Sequence, residues 1–162
     1  MAEPILPFGI IGLRHSTHRT HLPDMKKTQK SPPPYPAIHD HAGLASRVEE
    51  GLPMLDLVVF GREAGFTVDE LAKLVHIPPR TYARRVAAKA RLNVPEGERA
   101  VRVMRLYDQA KDLLGTHENT RRWLDQELPA LGGRTPLDLA RTEQGARAVE
   151  TLIGQLGHGI VT

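Results

Sequence analysis

Histidine is the residue type in this chain best suited to chemistry, and its first quarter is rich in it. His15, His18 and His21 recur at every third position, and His39 and His41 follow. Imidazoles spaced this way bind a transition metal only weakly unless a carboxylate or thiolate set joins them, and none does here, so neither a metal nor any other cofactor is expected. His117 and His158 stand beside turns, with no serine or carboxylate arrangement that spacing singles out for nucleophilic catalysis. Leu131-Gly132-Gly133-Arg134 lacks the lysine and the following helix of a phosphate loop. The chain has no cysteine, which excludes disulfides, thiol nucleophiles and thiolate metal sites together and fits a reducing cytoplasm. The residues point to binding, and no enzymatic activity is expected.

Arginine carries the second kind of chemistry. Residues 68–86 have the pattern of a helix-turn-helix: Leu71, Val75, Ile77 and Tyr82 fall where two helices pack, and Ala72 is small where they approach closely. The second helix then exposes Arg80, Thr81, Ala83 and Arg84, with Arg85 and Lys89 nearby. Short side chains let such a helix seat deeply in the major groove, and arginines bind guanine edges or clamp phosphates. Arg80, Thr81, Tyr82, Arg84, Arg85 and Lys89 form the candidate DNA-binding set. Within it Arg80, Thr81 and Arg84 are expected at base edges, and Arg85 and Lys89 at the backbone. His76 takes the turn position that glycine commonly fills, so it must adopt a left-handed conformation. The other reading of the same residues is a helical corner with a solvated arginine face.

The last third of the chain has a different character. Gly132 and Gly133 permit positive φ, Thr135 can cap a short helix opened by Pro136, and Thr142-Glu143-Gln144-Gly145 begins another helix that Gly157 is expected to stop. Beyond it His158, Gly159, Ile160, Val161 and Thr162 form an apolar end free to enter a partner's cleft, or simply to fray as most termini do. Arg134 at the corner can pair with an acidic partner or be solvated. Trp123, Leu131, Leu137 and Leu139 read as core of this region, or as partner or dimer contacts.

The elements that must position these residues are all helical. Residues 1–45 read as a disordered or extended tail: the proline run of residues 32–36 forms neither helix nor central strand, and Met25-Lys26-Lys27 also reads as an alternative translation start. The apolar residues 5–13 are broken by Pro7 and lack a preceding basic segment, and no stretch has the roughly 20 apolar residues that a membrane span needs. Helical periodicity begins after Gly51. Helices are expected from Pro53 to about residue 64, from the Thr67–Glu70 capping box, from Pro79 to about residue 90, and over residues 95–114, 118–127, 136–140 and 143–156. No window alternates with period two, so the fold class is all-α: a helix-turn-helix domain over residues 46–93 and a small helical partner-binding or dimerisation domain over 94–162. The net charge is only +3, yet residues 62–105 hold ten Lys/Arg against five Asp/Glu, and residues 106–162 hold six against eight. That asymmetry fits two surfaces with different partners, or ordinary variation between helix surfaces.

Arg122-Trp123-Leu124, the Leu-Gly-Gly-Arg-Thr-Pro-Leu run, the Thr-Glu-x-Gly step and the Gly-x-Gly-Ile end, in this order and downstream of a helix-turn-helix, resemble the Xre/MbcA/ParS antitoxins that pair with RES-domain toxins. The resemblance covers residues 51–162. It implies an antitoxin that binds its cognate RES-domain toxin through the C-terminal domain and covers the toxin's NAD-degrading site with the tail, residues 158–162. Gly157 and Arg134 join the toxin-binding set, although this tail ends in Val161 and Thr162 where related tails often carry an aromatic. It also implies repression of the antitoxin's own operon through operator DNA, as a homodimer within a larger toxin–antitoxin complex, with no membrane partner. The alternative is a stand-alone helix-turn-helix regulator whose C-terminal domain only dimerises.

Overall fold

The computed structural model describes residues 41–159, with side chains from Gly43 onward. The expected N-terminal tail to residue 40, its histidines and the terminal Ile160, Val161 and Thr162 lie outside the described residues. Among the described residues eight α-helices follow one another: α1 (His41–Glu49), α2 (Met54–Ala64), α3 (Val68–Leu74), α4 (Pro79–Ala87), α5 (Val94–Leu114), α6 (His117–Leu124), α7 (Pro136–Leu139) and α8 (Glu143–Gly157). A 3-10 turn at Pro129–Leu131 and two isolated bridges, Pro53 with Arg91 and Leu128 with Arg134, complete the described residues, which contain no β-strand. No described helix is long and apolar enough to cross a membrane.

Local sequence explains most of the boundaries. Gly65 ends α2 in the left-handed region (φ 74°), Thr67 and Glu70 form the capping box that opens α3, and Asn93 and Glu96 form a second one at the start of α5. Thr116, Thr135 and Thr142 each accept a backbone N–H three residues on, opening α6, α7 and α8. Helical order also extends back to His41, ahead of the start expected after Gly51. Leu44 and Val48, one turn apart, bury themselves and hold α1 on the body of the protein.

α5 is the spine. Ala100, Val103, Met104, Leu106, Tyr107 and Ala110 are all buried, a spread too wide for one stripe, so neighbours cover this helix on more than one side. On one side lie Leu57 and Phe60 of α2 with Leu71 of α3; on another, Ala146, Val149 and Ile153 of α8. Phe60, Phe66 and Tyr107 meet edge-on or tilted, with centroids 5.4 to 6.0 Å apart, at the middle of this continuous core.

The Thr142–Gly145 step is decided by space. The Gly145 N–H bonds the Thr142 hydroxyl at 3.1 Å. A β-carbon at Gly145 would lie 2.2 Å from the Leu139 carbonyl oxygen, a backbone atom, whereas one at Gly154 of the same helix meets nothing within 4 Å. Gly145→Ala is therefore expected to destabilise the fold by at least about 1–3 kcal/mol. Gly154→Ala is expected to stabilise it by roughly 0.5–1 kcal/mol. Urea denaturation midpoints of the two variants check both signs.

Candidate nucleic-acid and partner interfaces

Between α3 and α4 the chain turns through His76, whose φ of 58° is the left-handed conformation that its turn position demands. Its N–H bonds the Lys73 carbonyl at 3.2 Å, the Ile77 N–H bonds the Ala72 carbonyl at 2.8 Å, and Pro79 opens α4. Leu71, Ala72, Val75, Ile77 and Tyr82 are buried in the seam between the two helices, as their spacing predicts. The turn therefore presents one face of α4 outward, and on it Arg80, Ala83, Arg84 and Ala87 are exposed while Thr81 is half-buried. Neither Arg80 nor Arg84 has a carboxylate partner among the described residues, so both guanidinium groups are available for an external anion.

The rest of the predicted DNA-binding set divides. The Tyr82 side chain is 1% exposed and belongs to the core, where burial pushes its hydroxyl up to about 12. It supports α4 from behind and does not reach a groove. Arg85 turns inward: its Nη1 donates to both oxygens of Glu96 at 2.8 and 2.7 Å. Glu96 is itself buried and takes the Asn93 N–H at 3.0 Å, so the carboxylate that caps α5 also anchors α4. This removes Arg85 from the free backbone-clamping set, because leaving Glu96 would strand a buried charge. Lys89 lies past the end of α4 with φ 50°, exposed, at the bend that returns Leu92 to pair with Leu52.

The C-terminal corner forms largely as its residues dictate. Gly132 and Gly133 take φ 67° and 75°, the Gly133 N–H closes on the Leu128 carbonyl at 3.0 Å, and the Thr135 hydroxyl caps α7 through the Asp138 N–H at 3.1 Å. Arg134 is exposed, with no carboxylate partner among the described residues. Trp123, Leu131, Leu137 and Leu139 are only partly buried, packed against the core with apolar surface still outward. α8 continues through Gly157, where a stop was expected, and Gly159 takes the left-handed conformation instead (φ 69°). A single positive-φ residue suffices to end a helix, and a glycine two positions earlier remains helical at a modest propensity cost. His158 and Gly159 are exposed at this end.

Sequence reasoning did not single out Arg121. Its guanidinium lies 4.3 Å from the centre of the Phe66 ring, donates to Glu70 at 2.6 Å and reaches Asp125 at 3.1 Å. One side chain of α6 thus clamps the first turn of α3. Burial alone would raise the Glu70 carboxyl, but the Thr67 N–H and hydroxyl and the Arg121 charge more than offset it and hold it below the usual carboxylate range. His117, set aside for catalysis, bonds the Tyr107 hydroxyl through Nδ1 at 2.5 Å and sits 2.7 Å from the Lys111 ammonium. Among the described residues no group of three or more His, Asp or Glu could hold a metal ion.

Breaking the Arg85–Glu96 pair tests its structural role. Glu96→Gln is expected to cost about 2–3 kcal/mol, below the 3–5 of a fully buried pair because Arg85 keeps part of its side chain in water. Thermal denaturation of this variant beside Arg84→Ala, expected within about 0.5 kcal/mol of the parent, checks the difference.

Comparison with known proteins agrees with both halves of this geometry. A family model of the antitoxin Xre-like helix-turn-helix domain matches residues 43–105, and one of the antitoxin Xre/MbcA/ParS C-terminal toxin-binding domain matches residues 109–159. The chain is 32% identical over 116 residues to Antitoxin Xre of Photorhabdus laumondii subsp. laumondii, covering 71% of this chain and 78% of that protein. It is 37% identical over 92 residues to Antitoxin Xre of Yersinia enterocolitica, covering 56% and 62%. It is 27% identical over 123 residues to the Prs ADP-ribosylating antitoxin of a Sphingobium species, covering 69% and 76%.

Proposed function

Because this chain belongs to the Xre family of antitoxins, with a helix-turn-helix domain and a toxin-binding domain, we propose that it neutralises a RES-domain toxin that degrades NAD and represses its own operon. In this reading the toxin is held by the C-terminal region around Arg134, and residues 158–162, led out of α8 by the left-handed Gly159, cover the toxin's active site. The glycines let the backbone approach another chain closely. Operator DNA meets the exposed face of α4, with Arg80, Thr81 and Arg84 at base edges and Lys89 at the backbone. The protein acts as a homodimer, so two such faces reach successive half-sites.

The observation that carries this reading is the division of arginines on α4. Arg80 and Arg84 face outward without a carboxylate partner among the described residues, while the adjacent Arg85 is held by Glu96 and fixes the helix that displays them.

A dimer making about eight phosphate contacts gives a slope near −7 when log affinity for its promoter fragment is plotted against log salt concentration. Arg80→Ala combined with Arg84→Ala is expected to abolish specific binding. Binding that is insensitive to salt, or retained in the double variant, would contradict the DNA assignment.

Truncation after Gly157 is expected to leave that DNA binding largely intact while NAD falls in cells that co-express the toxin. Full neutralisation by the truncated protein would exclude the tail as the blocking element.

A further inference from the structure

The helix-turn-helix turn is surrounded by cations from outside its own helices. Arg99 of α5 reaches the last turn of α3 through a long hydrogen bond from Nη1 to the Val75 carbonyl (3.4 Å), which places its guanidinium beside His76. Arg102, one turn further along α5, bonds Glu143 at the start of α8 at 2.9 Å, which brings the α7–α8 corner, and with it Arg141, to the same edge. Partial burial pushes the His76 ring below its ordinary value, and Arg99, Arg141 and Arg102 each push it the same way, so all three are close enough to repel a protonated ring.

Among the described residues no carboxylate is bonded to Arg99 or Arg141. Glu143 is shared between Arg102 and Arg147, which reaches it at 3.3 Å, and it lines a cavity along α5 together with Glu98 and Glu49. Arg99 has a use in the fold as a cation at the carbonyl end of α3, and Arg102 has one as the link to α8. Arg141 has neither. It is exposed, has no carboxylate partner among the described residues, and adds its charge to a place already positive. The same edge leads directly into the DNA-binding face: Ile77, Pro78 and Pro79 separate His76 from the exposed Arg80.

We infer that Arg141, supported by Arg99 and Arg102 around the turn, forms a phosphate-binding edge that continues the α4 face, so that a residue of the toxin-binding region contacts the DNA backbone. The ligand is a phosphodiester of duplex DNA. The inference rests on the DNA-binding reading above and adds to it a contact outside the helix-turn-helix. A phosphate there neutralises the repulsion between these arginines, and the contact is independent of sequence because it touches no base.

The test uses the full chain and its promoter fragment across a salt series from about 50 to about 200 mM. Each phosphate contact contributes about 0.9 to the log–log slope, so Arg141→Ala in both halves of a dimer is expected to flatten it by nearly 2 and to weaken binding equally to promoter and unrelated duplex. Arg141→Lys restores most of the slope, since a point charge serves a phosphate. Arg122→Ala, which removes an exposed arginine of α6 that pairs with Glu118 and belongs to neither binding set, leaves it unchanged. An Arg141→Ala slope equal to that of the parent overturns the inference, as does loss of toxin co-purification with DNA binding intact, which assigns the anion to a protein partner. If the parent binds promoter DNA and Arg80→Ala with Arg84→Ala abolishes it while Arg141→Ala does nothing, only this inference fails. A parent that binds no DNA overturns the DNA-binding reading, and this one with it.

Discussion

The helix-turn-helix and the last helix are both held against α5, and the way they are held follows from the spacing of four side chains. Glu96, Arg99, Arg102 and Arg105 stand three residues apart. At about 100° per residue, each successive member lies some 60° further round the helix, so the first and last point to opposite sides. The four reach in turn Arg85 of α4, the Val75 carbonyl just past α3, Glu143 and Glu150 of α8. A spiral of polar contacts stitches the helix-turn-helix to one side of the spine and the last helix to the other, while the apolar residues between them fill the core.

This arrangement makes the two binding regions parts of one packed body. The core runs without interruption from Leu52 and Phe60 through Tyr107 to Val149 and Ile153. Arg121 adds a second fastening, from α6 to Glu70 in the first turn of α3. A displacement of α6 or α8 by a bound toxin would therefore be felt at α3 and α4 through close-packed contacts, which do not deform smoothly.

Local rules made much of this legible. Thr67 with Glu70, the left-handed His76, Pro79, the paired Gly132 and Gly133, and the caps Thr135 and Thr142 each act within four residues of chain, and each lies where its chemistry requires. Other features resisted for equally physical reasons. Gly157 and Gly159 are both able to end α8, and nothing local chooses between them. α1 follows Asp40, a residue type that suits a helix start, but the proline run just before it reads as tail, and what fastens the helix is the burial of Leu44 and Val48, the latter against Gly97 far along the chain. Tyr82 carries a polar tip that composition alone allows at a DNA surface, yet its ring fills the seam. Gly145 reads as an ordinary helix residue until the Leu139 carbonyl is seen against it.

The sequence by itself determined the all-helical class, the turn chemistry and the order of a DNA-facing segment before a partner-facing one, because hydrophobic period, caps and φ preferences are properties of neighbouring residues. Tertiary structure alone decided which arginines are free. Arg80, Arg84, Arg85, Arg121 and Arg141 are alike on paper. A guanidinium is available to an outside anion only if no carboxylate from a distant helix has reached it first, and whether one has is settled by packing across tens of residues.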